Sequence, residues 1–490
     1  MALAMIFLPL LLAGIAALIP SNAARPWILP VAGVAHLALL AAVLAVPGLA
    51  DWSPVPGTGT FLGLDPAGTV VLVVESGLFV FAAFYSVGYL KHRKDRPNRV
   101  FVVGLLSFLG FATVVSWSRH LGLAWVAIEA TTLSTAPLIY FNHSKRSIEA
   151  TWKYLLVGSV GIALALLGTF FLAYSALRGG LVASMDVDTL SMNAARLSKP
   201  WLRAAFVLAL VGYGTKMGLA PMHTWKPDAY GEAPGVVGAV FASGVTSIAF
   251  LAFLRFYTIV GRAGDGLFAS QLLLPMGLFS MAVAAVFMIG QRDFKRMLAY
   301  SSVEHMGILM IGLGVGAPAL FGTMLHVVTN GATKGVLFLS AGNIHRAYAS
   351  KSTDKVRGAL RRLPLSASFF LAAFFAITGS PPFGPFVSEF TILTATFGAG
   401  RPIVAGLFLL FLLVIFVGMG RTVFKVLQGR ATSADEAPDE VAGAVPYRDD
   451  FLTVAPVAAL MAVVLLLGLW IPGPLSDLLG KAARWVGGAS

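Results

Sequence analysis

Apolar residues in this chain come in long, nearly unbroken runs, without the strict alternation of a half-buried strand or the spaced stripe of a surface helix. Runs long enough to cross about 30 Å of hydrocarbon recur fourteen times, near 2–19, 27–47, 69–90, 100–116, 121–141, 154–177, 203–224, 235–257, 271–290, 298–315, 318–342, 363–396, 403–424 and 451–471. None shows the dyad pattern of barrel strands, and several contain glycine or proline. The pattern therefore predicts an all-α polytopic membrane protein of about fourteen transmembrane helices. Ser21-Asn22-Ala23-Ala24 follows the first run as it would a secretory signal, but no basic segment precedes that run, which favours an uncleaved first helix. Beyond the last run, 475–486 has the make-up of a short amphipathic surface helix.

Composition narrows the function. The 490 residues are 58% hydrophobic and only 12% charged, with a mean hydropathy of +0.84. A soluble domain carries about 25% charged residues, so a soluble enzyme, a disordered chain and a nucleic-acid binder are excluded. The net charge of +13 then belongs mainly to loops on one side of a bilayer. The chain has no cysteine, which excludes thiolate-held clusters and thiol catalysis and assigns any redox chemistry to another chain. With the N-terminus outside, inner loops hold 23 lysines and arginines, Arg25, Lys226 and Lys295 among them, and outer segments hold 10, including Arg255. That excess places both termini on the outer side of a bacterial inner membrane. The inner linker Gly429–Arg448 is acidic, rich in proline and alanine, and reads as a plain surface loop.

Charge inside a bilayer costs roughly 2.5–3.5 kcal/mol per residue on insertion scales, so each charged residue within a run needs a reason. The candidates are Glu75 in the third span, Glu129 in the fifth, Lys216 in the seventh, Glu304 and His305 in the tenth, His326 and Lys334 in the eleventh, and Glu389 in the twelfth. Any one alone reads equally well as a structural ion pair. Spread over several spans with both signs present, the set suits a proton crossing hydrocarbon in short hops. His326, Asn330 and Lys334 recur at i, i+4 and i+8 and share one helix face, and histidine exchanges protons near neutrality. The plainer reading of that face is a polar stripe packed on a neighbour.

The seventh and twelfth spans look like counterparts. Each sets an ionisable residue beside a Gly/Pro interruption, Lys216 within Gly212–His223 and Glu389 at the end of Thr378–Glu389. Such breaks free backbone groups at membrane depth, and paired breaks point to inverted repeats around a transport path. Gly312-Leu313-Gly314-Val315-Gly316 has no strand before it and reads as a close helix contact, not a dinucleotide fingerprint. The eight histidines are too scattered in sequence for a metal site, so neither metal nor cofactor is expected.

At these residues the chain resembles the antiporter-like membrane subunits shared by respiratory complex I, Mrp-type cation/proton antiporters and membrane-bound hydrogenases. The resemblance spans about residues 70–425 and rests on Trp125 through Thr132 (WVAIEATT), Lys216 through Asp228 (KMGLAPMHTWKPD), Asp293 through Gly307 (DFKRMLAYSSVEHMG), Lys334 through Gly342 (KGVLFLSAG) and Gly379 through Phe390 (GSPPFGPFVSEF). It is strongest towards the F component of hydrogenase-4-like and formate-hydrogenlyase-like complexes, through Glu129, Glu149 with Trp152-Lys153-Tyr154, and Ser302-Val303-Glu304-His305.

The resemblance implies two inverted five-helix halves, spans four to eight and nine to thirteen. Residues 1–98 would then hold three leading helices, 99–257 and 258–425 the repeats, and 426–490 the loop, last helix and tail. It implies that Glu129 pairs with Lys216 and that a proton route continues through His326 and Lys334 to Glu389. Glu75, His223, Ser243, Glu304, His305 and Asn330 are candidate accessories beside that route. It implies no catalytic residue on this chain. The implied partners are other membrane subunits, lipid, and a peripheral cytoplasmic redox module of the hydrogenase or NADH dehydrogenase type. Two positions depart from the family pattern. Phe241 stands where many members carry Lys or His in the eighth span, leaving the central link to water or to Ser243, and Asn330 replaces a second histidine. The expected function is a proton-translocating subunit of a redox-driven complex. The alternatives are a subunit of a proton-linked inorganic-carbon or cation uptake complex, or a structural anchor whose path has decayed.

Overall fold

The computed structural model describes residues 1–46, 48–49, 61–93, 95–429 and 447–488. Each predicted run falls on helix. The first six spans are Ala2–Leu18, Ile28–Ala45, Pro66–Lys91, Arg99–Trp117, Leu121–Ile139 and Lys145–Arg178. The seventh is split into Lys199–Met217 and Trp225–Glu232. Gly235–Arg262, Gly266–Met288, Phe294–Val315 and Ala317–Tyr348 are the eighth to eleventh. The twelfth is split into Pro364–Ile377 and Gly384–Gly398, and Pro402–Leu427 and Phe451–Leu469 complete the set. Most of the acidic linker predicted over Gly429–Arg448 lies outside the described residues, as do Lys94 and Arg430 of the inner tally.

Among the described residues, ten helices are long and apolar enough to cross a bilayer. The spans outside that ten are the 17-residue first helix and the seventh, eleventh and twelfth, which are broken or polar. Those last three carry Lys216, His326, Lys334 and Glu389, so hydropathy is weakest where the candidate chemistry lies. Burial identifies the centre of the bundle. All of the eighth span's apolar window and 94% of the tenth's are buried, against 33% for the thirteenth. The rim spans instead expose Leu156, Val160, Ile403 and Leu413, as a lipid-facing surface does.

Local chemistry explains the helix ends. Asp65 caps the third span by accepting from the Gly68 N–H at 2.5 Å, with Pro66 in the first turn. Its other carboxylate oxygen accepts from Arg255 Nε at 3.0 Å, and the Arg255 Nη atoms reach the Val115 and Ser116 carbonyls at 2.9 and 3.0 Å. This fully buried arginine ties the third, fourth and eighth spans together, so it is not the outer-segment charge the sequence tally made of it. The inner tally changes in the same way, because Arg25, Lys226 and Lys295 are all buried.

The two breaks share one construction. Gly218 and Gly379 adopt φ of 77° and 68°, the left-handed region open to glycine. Three residues after each stands a proline, Pro221 or Pro382, which cannot donate to a continuing helix. The glycine-rich run at 312–316 is a packing contact as predicted, with Gly312 against Thr323 and Gly314 against Leu274. The tail forms the helix Gly473–Gly487, which buries Leu479, Ala482 and Val486 on one side.

Candidate functional site

In the first half, the sixth span packs between the fifth and the first segment of the seventh. Glu129 and Thr132, three residues apart, face the same way from the fifth span. Lys216 is fully buried. Its Nζ donates to Thr132 Oγ1 at 2.6 Å and to Tyr154 Oη at 3.0 Å, and lies 4.4 Å from the centre of the Tyr154 ring. Tyr154 Oη is in turn 2.9 Å from Thr135 Oγ1. Glu129 accepts from Ser159 at 2.8 Å through one oxygen, and its other oxygen lies 3.4 Å from Thr132 Oγ1. The expected Glu129–Lys216 pair is therefore indirect. The ammonium donates to two hydroxyls and not to the carboxylate, and Thr132 Oγ1 contacts both charged groups. Glu129 is partly exposed, on a rim where Val126, Leu133, Leu156 and Val160 also face outward.

The second half is enclosed. Lys334 is fully buried and donates to Ser301 Oγ at 2.5 Å. Ser301 and Glu304 are again three residues apart on one helix. His305 Nε2 lies 4.0 Å from Glu304, and its Nδ1 lies 3.8 Å from Glu389 and 3.0 Å from His326 Nε2. His326 Nδ1 reaches Ser388 Oγ at 2.9 Å, and Ser388 lies 3.1 Å from Thr329 Oγ1. Both oxygens of Glu304, His305 Nε2 and Glu389 Oε1 are buried without a hydrogen-bond partner. Two acids, two imidazoles and a lysine thus share one low-dielectric region, where each charge state strongly affects the others. Histidines that are scattered in sequence converge in the fold: the ligand atoms of His305, His326 and Glu389 all lie within 4.8 Å of one another. The two facing ring nitrogens, His305 Nδ1 and His326 Nε2, are at hydrogen-bond distance, a spacing across which a proton can be shared.

The accessory residues divide. Glu75 is buried with both oxygens unpartnered, next to Val74, which packs on Gly331 of the eleventh span. His223 sits in the seventh-span break with Nδ1 unpartnered, and Asn330 Oδ1 is likewise unpartnered on the His326/Lys334 helix. The Ser243 hydroxyl donates within the backbone network, 3.0 Å from the Ala239 carbonyl and 2.9 Å from that of Gly331. The centre is filled by rings instead. Phe241 opens a π-helical stretch to Val245 and stacks on Tyr154 at 5.3 Å.

Several participants were missed from sequence. Thr132, Tyr154, Ser301 and Ser388 are common residue types in apolar helices, although the three-residue spacing of Thr132 and Ser301 from an acid was a usable signal. Lys226 was counted as a loop charge but is fully buried, and its Nζ donates to the Met217 carbonyl at 2.5 Å. Lys295, also buried, donates to the Gly231 and Ala233 carbonyls. Both lysines satisfy carbonyls that a broken helix leaves open.

The family described as NADH:quinone oxidoreductase/Mrp antiporter, TM, matches residues 118–416. The chain belongs to that family. It is 34% identical over 379 residues to the hydrogenase-4 component F homolog of Methylacidiphilum infernorum, covering 76% of this chain and 79% of that one. To NADH-quinone oxidoreductase subunit N of Desulforudis audaxviator it is 30% identical over 440 residues, 88% of this chain and 86% of the other. The fold matches a chain of the Mrp complex from Dietzia sp. with TM-score 0.85 at 20% identity, covering 99% of this chain and 97% of that one. A chain of Thermus thermophilus respiratory complex I matches at 0.82 and 21%, covering 99% and 100%. The protein is thus an antiporter-like membrane subunit of the complex I and hydrogenase type, and its relatives are subunits of multisubunit membrane complexes.

Proposed function

We propose that this subunit translocates protons between the Glu129–Thr132–Lys216 cluster and the Lys334–Glu304–His305–His326–Glu389 cluster, driven by redox chemistry in a peripheral cytoplasmic module. The observation that carries this reading is shared by both halves: a buried lysine donates to a hydroxyl three residues from an acid. A hydroxyl both donates and accepts, so a proton can pass through it. Glu129 lies at the rim, where a neighbouring membrane subunit can act on it. With a positive charge outside, Glu129 turns outward and Lys216 loses the acid beyond Thr132. Its proton then moves on towards Lys334, and His305, His326 and Glu389 carry it out. Moving one charge through a membrane potential costs about 2.3 kcal/mol per 100 mV, which a rearrangement of close charges in low dielectric can match.

In this reading residues 99–257 and 258–425 are the inverted repeats, the shared glycine–proline breaks mark equivalent points in them, and both termini lie outside an inner membrane. The test is proton uptake into inverted membrane vesicles holding the whole complex, for Glu129→Gln and Lys216→Met against wild type. Uptake should collapse while native gels show intact assembly. Full uptake in both variants would return these charges to a structural role.

A further inference from the structure

Between the two clusters the eighth span offers no ionisable group. From Gly235 to Thr246 it carries none, Phe241 occupies the middle, and the Ser243 hydroxyl is committed to main-chain carbonyls. Across a gap of this kind a proton needs either ordered water or a group supplied by another element. The register of the two breaks indicates which one. When Gly218-Leu219-Ala220-Pro221 is set against Gly379-Ser380-Pro381-Pro382, one ionisable side chain from the segment after each break folds back under the break glycine, although the two lie eight and ten residues on. Lys226 folds beneath Gly218 so that a Cβ there would meet its Nζ at 3.0 Å, and Glu389 folds beneath Gly379 so that a Cβ would collide with its carboxylate. Lys216, on the near side of the break, is therefore not the counterpart of Glu389. Lys226 is.

Its surroundings suit a relay. The ammonium has three donors but, among the described residues, a single hydrogen-bond acceptor, the Met217 carbonyl. Met217 adjoins Lys216, so both lysines meet at the same helix end. On its other side Lys226 lies 5.5 Å from the centre of the Tyr230 ring, whose buried hydroxyl has no partner. That ring lies 5.8 Å from Phe241 and 5.5 Å from Phe338 of the eleventh span, four residues beyond Lys334.

We propose that Lys226 carries the proton between the halves, receiving it from the Lys216 cluster and releasing it towards Lys334. Only N–H bonds form and break: the neutral amine takes a proton on its lone pair and gives the same charge up on the other side. The inference rests on the proton-path reading above and can fail separately from it. The alternative role for Lys226 is static, a cap on the carbonyl left open at the seventh-span break.

Three substitutions in the whole complex separate the roles, read as proton uptake per turnover in inverted vesicles with assembly followed on native gels. Lys226→Gln keeps an N–H for Met217 but has no exchangeable charge. Lys226→Arg keeps charge and donors but holds its proton too firmly to pass it on. Lys226→His can exchange one. The expected result is assembled complex with uptake reduced to the Lys216→Met level for Gln and Arg, and partial uptake for His. Wild-type uptake in Gln or Arg would overturn the relay, as would loss of assembly in both. If Lys226→Gln pumps normally while Lys216→Met does not, the path stands and Lys226 is not part of it.

Discussion

The two halves hold their lysines alike and their acids differently. Lys216 and Lys334 are both fully buried, and each donates to a hydroxyl rather than to a carboxylate. In the first half the acid, Glu129, reaches the rim of the bundle and bonds the exposed-side Ser159. In the second half Glu304 and Glu389 are almost wholly buried and crowd two histidines. The first cluster thus reaches the rim of the bundle, and the second is enclosed within it. Arg255 shows what a purely structural buried cation looks like here: its nitrogens meet a carboxylate and two carbonyls at 2.9–3.0 Å. Lys216 meets two hydroxyls and a ring, and Lys334 one hydroxyl, with no carboxylate on either among the described residues; in the proposed reading that weaker hold suits a group that gives up its proton.

That contrast can be broken by mutation. The largest effect on stability is expected for Arg255→Met, which strands buried Asp65 and should cost about 3–5 kcal/mol, read as loss of assembled complex on native gels. Ser301→Ala removes the one hydrogen-bond acceptor that Lys334 has among the described residues and should lower thermal stability in detergent by about 1–3 kcal/mol, with proton uptake falling alongside. Thr132→Val should do less, because Lys216 keeps the Tyr154 hydroxyl. Equal losses for Thr132→Val and Ser301→Ala would contradict the idea that the second half depends on fewer contacts. The smallest effect is expected at the rim. Asp265→Asn weakens ion pairs to Arg203 at 2.8 Å and Lys199 at 3.6 Å. Asp265 is itself buried while both partners are about half exposed, so screening keeps the loss below that of Ser301→Ala and uptake should be unchanged.

Nearly all of the fold was legible in the sequence, because a span is defined by length and apolarity alone and the bilayer leaves few other solutions. The breaks at Gly218 and Gly379 were legible as well, since glycine and proline act locally. The site was legible only in part. Buried charges stand out against apolar runs, so Lys216, Lys334, His326 and Glu389 were found, whereas Thr132, Tyr154 and Ser301 gain their meaning only once helices pack. Lys226 was misread because Trp225–Glu232 is a short polar helix that hydropathy takes for a loop. The directness of the Glu129–Lys216 pair was overestimated for a related reason: spacing along a helix gives the face of a residue but not what stands between two faces.

Lys334→Met is the most direct test of the central claim, because this lysine lies in the enclosed half and, among the described residues, hydrogen-bonds Ser301 alone. Proton uptake would be measured in inverted vesicles of the whole complex, with NADH, formate or hydrogen supplied in turn, alongside native gels. The expected result is a fully assembled complex that takes up almost no protons. Assembled complex with wild-type uptake would contradict a proton path through the buried lysines.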